Sequence, residues 1–140
     1  MTAKEYLKRI ARTEANIRAK KERLLVMHEM AESVGSPVMS DMPRNPNHSA
    51  SKLEDSVMKM MALENEIRQE EEKLTADKTR ALELIGEIWN PEYQTVLISR
   101  YFRNESWDDI ASEMYYSQRW IYRLHGYALD ELDKILKECS

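Results

Sequence analysis

Apolar residues recur at helical spacing along most of the chain. In residues 2–33 one apolar position returns every seven residues, and the position four residues after it is mostly polar. The same pattern returns in residues 52–89. A helix with such a narrow apolar face cannot bury it alone, so both long helices need a partner. The recurring apolar residues are Ala3, Ile10, Ile17, Leu24 and Ala31 in the first segment, and Leu53, Met60, Ile67, Leu74, Ala81 and Ile88 in the second.

Capping signals mark the starts of these two helices. Thr2 with Glu5, and Ser51 with Glu54, match the capping box, in which two side chains satisfy free backbone N–H groups. Residues 34–51 hold three of the four prolines, and we interpret them as a linker. A linker of this length allows the helices to pair antiparallel as a hairpin within one chain. A parallel coiled-coil dimer between chains is the alternative, and the pattern does not choose between them.

A region of shorter helices follows the break at Asn90-Pro91, where asparagine caps a new helix and proline occupies its first turn. Ser106 and Ser117 cap two more predicted helices. The chain has three glycines and no Asn-Gly or Asp-Gly hairpin signal, which argues against a sheet protein. We therefore predict an all-α fold with two domains. These are residues 1–90, a helical hairpin or coiled coil for oligomerisation or partner binding, and residues 91–140, a trihelical helix-turn-helix domain.

The last two predicted helices have the spacing of a helix-turn-helix. Ala111 is a small residue in the first helix, where the second helix would cross closely, and Ile121 and Leu124 follow ten and thirteen positions later. Ile110 and Met114 complete the apolar inner face. The second helix would then present polar residues of its first turns to a DNA groove. The candidate DNA-binding residues are Ser117, Gln118, Arg119, Tyr122 and Arg123.

The chemistry of these side chains suits the edges of DNA bases. Glutamine pairs with adenine through both amide atoms, and arginine pairs with O6 and N7 of guanine. Residues 117–129 hold two arginines, one histidine and no acid, although the whole chain has a net charge of −4. The start of the last helix is thus locally positive, as DNA binding requires. A three-helix packing unit without a ligand is the alternative, because one alanine and two aliphatic residues at this spacing are common in helical proteins.

Residues 93–136 also resemble a known family. The segment YQTVLISRYFRNESWDDIASEMYYSQRWIYRLHGYALDELDKIL is similar to region four of bacterial sigma-70 factors, the helix-turn-helix that reads the promoter −35 element. A long helical part before such a unit resembles small phage and prophage transcriptional regulators of the ArpU/RinA type. The resemblance implies that Gln118, Arg119, Tyr122 and Arg123 contact bases and backbone. Tyr115 stands at the turn position that glycine usually holds, which requires either a positive φ or a different turn.

Catalytic and metal chemistry has no support in the residue pattern. The sequence contains no glycine-rich phosphate loop, no nucleophile with a paired base and no carboxylates at metal spacing. Cys139 is the single cysteine, and His28, His48 and His125 have no ligand partner at metal spacing. No apolar run approaches the roughly 18 residues that span a membrane. We expect neither enzymatic activity nor a metal, cofactor or membrane segment.

Together these patterns predict a sequence-specific DNA-binding transcriptional regulator. The resemblance implies that it is encoded by a phage or prophage and located in the cytoplasm of the bacterial host. Its expected partners are double-stranded DNA, RNA polymerase and a second copy of the chain, bound as a homodimer through the long helices. Two other functions remain open. One is a small terminase subunit, which serves DNA packaging, and the other is a helical interaction protein that does not bind DNA.

Overall fold

The described part of the chain contains five α-helices. The computed structural model describes residues 1–35 and 46–139, with side chains for residues 1–33 and 52–139. Within these ranges there is no strand, and the predicted all-α class is confirmed. None of the described helices is long and apolar enough to cross a membrane. The helices are α1 (Ala3–Gly35), α2 (Pro46–Gly86), α3 (Pro91–Tyr101), α4 (Trp107–Met114) and α5 (Gln118–Glu138).

Two of the predicted caps fix the starts of α1 and α3. The Thr2 N–H donates to the Glu5 carboxylate and the Glu5 N–H donates to the Thr2 hydroxyl, both at 3.2 Å, which is the reciprocal pairing of a capping box. The Asn90 side chain accepts from the Glu92 N–H at 2.9 Å. α2 ends at Gly86, before the predicted end at residue 89, because the chain tightens into a turn ahead of Asn90.

The predicted start of the second long helix is wrong. α2 begins at Pro46, so Ser51 lies inside the helix and residues 46–51 of the predicted linker are helical. Proline is favourable at the first helical position because its missing N–H would have no partner there. α1 continues past the predicted end at residue 33 to Gly35. Residues 36–45 of the predicted linker lie outside the described residues.

The chain forms two compact units. The α5 unit comprises Met1–Thr13 and Leu74–Ser140, and the paired-helix unit comprises Glu14–Lys73. The α5 unit extends beyond the predicted domain 91–140, because it also contains the start of α1 and the end of α2. The Ala3 N–H of α1 donates to the Asp133 carboxylate of α5, which ties the first turn of the chain to its last helix.

In the paired-helix unit, α1 and α2 run antiparallel within one chain. Lys21 pairs with Glu71, and His28 lies 3.3 Å from Glu64, so rising residue numbers in α1 meet falling numbers in α2. These four residues are among the polar positions that made the heptad pattern only half apolar. The polar positions therefore face each other as cross-helix pairs. Lys20 adds two more ion pairs with Glu66 and Glu70, and the buried apolar residues are Ile17, Met60, Leu63 and Ile67.

Candidate nucleic-acid interface

A small core shared by α3, α4 and α5 orients the candidate residues. Ala111, Ile121 and Leu124, which the spacing predicted to close this core, are buried together in one cluster. Burial of a leucine or isoleucine side chain contributes about 1.5–3 kcal/mol, so Ile121 and Leu124 hold one face of α5 inward. The opposite face of α5 is therefore turned to solvent. The cluster also contains Val96 and Ile110, and Tyr93, Trp107 and Met114 pack against it.

A serine caps the start of α4, and the turn that follows it contains one left-handed residue and a second serine cap. The Ser106 hydroxyl accepts from the Asp109 N–H at 3.1 Å, and the Ser117 hydroxyl accepts from the Trp120 N–H at 3.2 Å. α4 ends at Tyr115, whose φ of 60° and ψ of 37° are left-handed. A side chain in this region costs about 1–2 kcal/mol. Tyr115 thus adopts the positive φ, and its ring is 93 % exposed.

All the predicted site residues lie at exposed positions on the first turns of α5. They are Ser117, Gln118, Arg119, Tyr122 and Arg123. The Ser117 cap fixes where the helix begins, so the other four emerge at known angles around its axis. Ser117, Arg119 and Arg123 line a shallow surface depression together with Trp120, which is not among the predicted site residues. The structure therefore brings three of the five predicted residues together in one depression, and Gln118 and Tyr122 are exposed on the same turns of α5 outside it.

The cations on this surface are not neutralised by the chain. Among the residues that the structure describes, no acid forms a salt bridge with Arg119 or Arg123. The first acid of α5 is Asp130, about two helical turns beyond Arg123. Two unpaired guanidinium groups next to each other repel, and a bound anion relieves that repulsion. The surface is suited to a ligand with negative charge.

Aromatic contacts hold Tyr122 in place beside the candidate arginines. The Trp107 ring meets the Tyr122 ring edge to face, with 5.1 Å between their centroids, and meets the His125 ring at 4.8 Å. The Arg100 guanidinium lies 4.3 Å from the Trp107 ring centre, a cation–π distance. The Tyr101 hydroxyl lies 2.8 Å from His125 Nε2. Tyr122 remains 49 % exposed, so the cluster restricts its ring and leaves its edge available.

The electrostatic field around His125 is positive. Burial and, after it, the charges of Lys4, Arg100 and Lys8 lower the pKa of His125 from 6.5 to about 4. The imidazole is therefore neutral at pH 7. Lys4 and Lys8 are basic neighbours of α5 that the sequence analysis missed, because they lie near the opposite end of the chain. The excess of basic over acidic residues in residues 1–33, eight against five, was the available signal.

The acidic residues of the site do not form a metal centre. No group of three or more His, Cys, Asp or Glu residues that could hold a metal ion occurs within the described ranges. Glu105 and Glu113 lie close together near α4, and the pKa of Glu105 is raised because its protonated carboxyl donates a hydrogen bond to Glu113. The interface is therefore defined by its basic, amide and hydroxyl side chains.

Fold and surface together define an all-α protein whose last helix exposes an acid-free polar surface at its start. Residues 33–133 match the DUF1492 family, described as a protein of unknown function. The match spans more than half of the chain, and the chain belongs to this family. It includes all the candidate residues of α5 and excludes Lys4 and Lys8. No curated protein and no solved structure matches the chain significantly.

Proposed function

We propose that the protein is a sequence-specific DNA-binding transcriptional regulator of a phage or prophage, acting in the cytoplasm of the bacterial host. In this proposal α4 and α5 form a helix-turn-helix, and the start of α5 lies in the major groove. The observation that carries it is the exposed row of polar side chains on the first turns of α5, with two arginines that no described acid neutralises. These side chains have the chemistry of base-edge readers.

The proposed reading mode follows from helix geometry. Arg119 and Arg123 are separated by about 6 Å along the helix axis, whereas neighbouring base pairs are about 3.4 Å apart. The two guanidinium groups can therefore address different base pairs, each through O6 and N7 of a guanine. Gln118 suits adenine, and the hydroxyl groups of Ser117 and Tyr122 suit phosphate oxygens, which fix the register of a protein on the duplex.

Preorganisation supports the same proposal. The Ser117 cap and the Trp107 contact fix the start of α5 and the Tyr122 ring before any ligand arrives. Fewer side-chain rotamers are then lost on binding, which lowers the entropic cost of association. The left-handed backbone at Tyr115 also supports a functional role for the turn between α4 and α5, because backbone strain is often retained where a turn sets a functional geometry.

Protein partners are the second part of the proposal. A second copy, bound through the long helices, and RNA polymerase are the partners we propose. Although α1 and α2 already pair with each other, large apolar side chains remain exposed on the paired-helix unit, and such surfaces commonly bind protein. These residues include Met30, Leu53, Met58 and Met61. Two copies on one DNA site would select a palindromic sequence, because the symmetry of the site mirrors that of the dimer.

Selection from a random duplex pool tests the proposal. The wild-type chain should enrich one motif, and the Arg119→Ala/Arg123→Ala variant should lose it. Each base contact removed is expected to weaken specific binding by about 1–3 kcal/mol. A palindromic motif would support the homodimer, and a single half-site would favour binding as a monomer.

The matched control is Arg18→Ala/Arg68→Ala, which removes the same charge from exposed positions of the paired-helix unit. This control should enrich the wild-type motif. Circular dichroism of all three proteins should give the same helical signal, so that loss of the motif is not loss of the fold. A folded wild-type chain that enriches no motif would refute sequence-specific DNA binding.

A further inference from the structure

The first turns of α1 are a fixed part of the α5 unit. Ala3 and Leu7 are 0 % and 1 % exposed, and the Ala3 N–H donates to the Asp133 carboxylate of α5. The capping box of Thr2 and Glu5 closes the helix start itself. This segment therefore holds its side chains in constant positions relative to α5, as a rigid extension of the candidate interface.

Two lysines project from this segment. Lys4 and Lys8 are four residues apart on α1, so they form one row on the helix surface, and both are exposed. Neither forms a salt bridge with an acid in the part of the chain that the structure describes. The carboxylates of the nearby acids Glu5 and Asp133 accept hydrogen bonds from the backbone N–H groups of Thr2 and Ala3.

The lysine row lies beside the candidate reading surface. Both lysines are close enough to His125 to lower its pKa. His125 follows Tyr122 by three residues, and residues at this spacing are neighbours on a helix surface. The hydrogen bond from Ala3 to Asp133 sets the start of α1 against α5, on the side that carries His125. The Trp107 ring contacts both His125 and Tyr122, so that side continues to the Tyr122 edge of the candidate surface. Positive charge that is gathered in this way, in a chain with a net charge of −4, indicates a ligand with many negative charges.

We propose that Lys4 and Lys8 bind the phosphate backbone of duplex DNA, next to the groove that α5 occupies. This inference rests on the proposed function and adds a second contact surface from the other end of the chain. The lysines would contribute affinity and orientation but no sequence reading, because a flexible ammonium group binds phosphate as a point charge. The arginines of α5 would supply the sequence preference.

Salt dependence of binding tests the inference. The Lys4→Gln/Lys8→Gln variant and the wild-type chain are titrated with a random-sequence duplex and, where the selection yields one, with the enriched duplex. Each phosphate contact adds about 0.9 to the slope of log affinity against log salt. Losing two contacts should therefore make the fall in affinity between about 50 and about 200 mM salt roughly twelvefold smaller. The variant should keep the wild-type motif and lose affinity equally for both duplexes.

The control variant is Lys52→Gln/Lys59→Gln, which removes the same charge from two exposed positions of the paired-helix unit. Glutamine has nearly the helix propensity of lysine, so both variants should fold. An unchanged slope in the Lys4/Lys8 variant, or an equal reduction in the control, would overturn the phosphate contact while leaving the proposed function intact. A wild-type chain without DNA affinity would overturn both. Reduced slope without any enriched motif would support the lysine contact and refute sequence reading.

Discussion

The paired-helix unit and the start of α5 use charged side chains in opposite ways. In the first region Lys20 lies 2.9 Å from Glu66, and Lys21 pairs with Glu71, so the chain neutralises its own charges across two helices. In the second region Arg119 and Arg123 have no acidic partner in the described part of the chain. The overall net charge of −4 hides this difference. Charge serves pairing of the helices in one region and is available to a ligand in the other.

Acid should destabilise the two regions in different pH ranges. The folded α5 unit holds His125 with a pKa of about 4, against 6.5 when unfolded, so the unfolded chain takes up this proton first. Stability should therefore fall as the pH drops from about 6.5 to about 4. A pKa unit corresponds to about 1.4 kcal/mol, and after a discount for solvent screening of the half-exposed ring we expect a loss of about 2 kcal/mol. Urea unfolding at several pH values measures it.

Tryptophan fluorescence confines that measurement to one region, because Trp89, Trp107 and Trp120 all belong to the α5 unit. The His125→Gln variant should show a flatter dependence in the same pH range. In the paired-helix unit, Lys20 lowers the pKa of Glu66 below 4.5. The stabilisation that the ionised Glu66 gives to the folded state is present above pH 4.5 and is lost only at lower pH. An unchanged pH dependence in the His125 variant would show that another group causes the loss.

Glycine at the turn should stabilise the α5 unit. Tyr115 has a φ of 60°, which glycine adopts without strain. Relief of about 1–2 kcal/mol is partly offset by the greater freedom of glycine in the unfolded chain, which leaves a gain of about 0.5–1 kcal/mol for Tyr115→Gly. Urea unfolding followed by tryptophan fluorescence measures this gain. The matched control, Tyr115→Ala, keeps a Cβ and should show no gain. A gain of equal size in both variants would attribute the effect to the exposed ring and not to the backbone.

Local patterns predicted the helix caps and the small core well. The caps at Ser106 and Ser117 and the burial of Ala111 depend on residues close in sequence or on one short turn, so spacing alone identified them. The start of α2 at Pro46 was missed because a capping signal at Ser51 competed with a proline that also suits a first turn.

Long-range contacts could not be predicted in the same way. The hydrogen bond from Ala3 to Asp133 joins opposite ends of the chain. An apolar pattern shows that a helix packs against another element, but it does not show which element. The basic neighbours Lys4 and Lys8 were therefore missed. The base contacts of Arg119 and Arg123 stay predictions, because a pattern of exposed residues defines a chemistry but not the ligand that meets it.

A double-mutant cycle on Lys21 and Glu71 gives the smallest effect and the most direct test of the comparison. Their side chains are 58 % and 43 % exposed, and exposed pairs contribute about 0.2–1 kcal/mol. Thermal unfolding of Lys21→Gln, Glu71→Gln and the double variant, followed by circular dichroism, measures the coupling energy. High salt should reduce it, because salt screens exposed charges. DNA affinity should stay unchanged in all three variants.

The pair Arg80–Glu83, 3.6 Å apart within α2, is the control for a contact that does not join two helices. Its coupling should be at the lower end, about 0.3 kcal/mol, as for other pairs within one helix. A coupling energy of zero for Lys21 and Glu71 would mean that this cross-helix pair does not stabilise the paired helices. The pairing of α1 with α2 would then depend on apolar burial and not on this pair of charges. A coupling larger than the control, with unchanged DNA affinity, would show that charge stabilises the fold in one region without contributing to the ligand surface of the other.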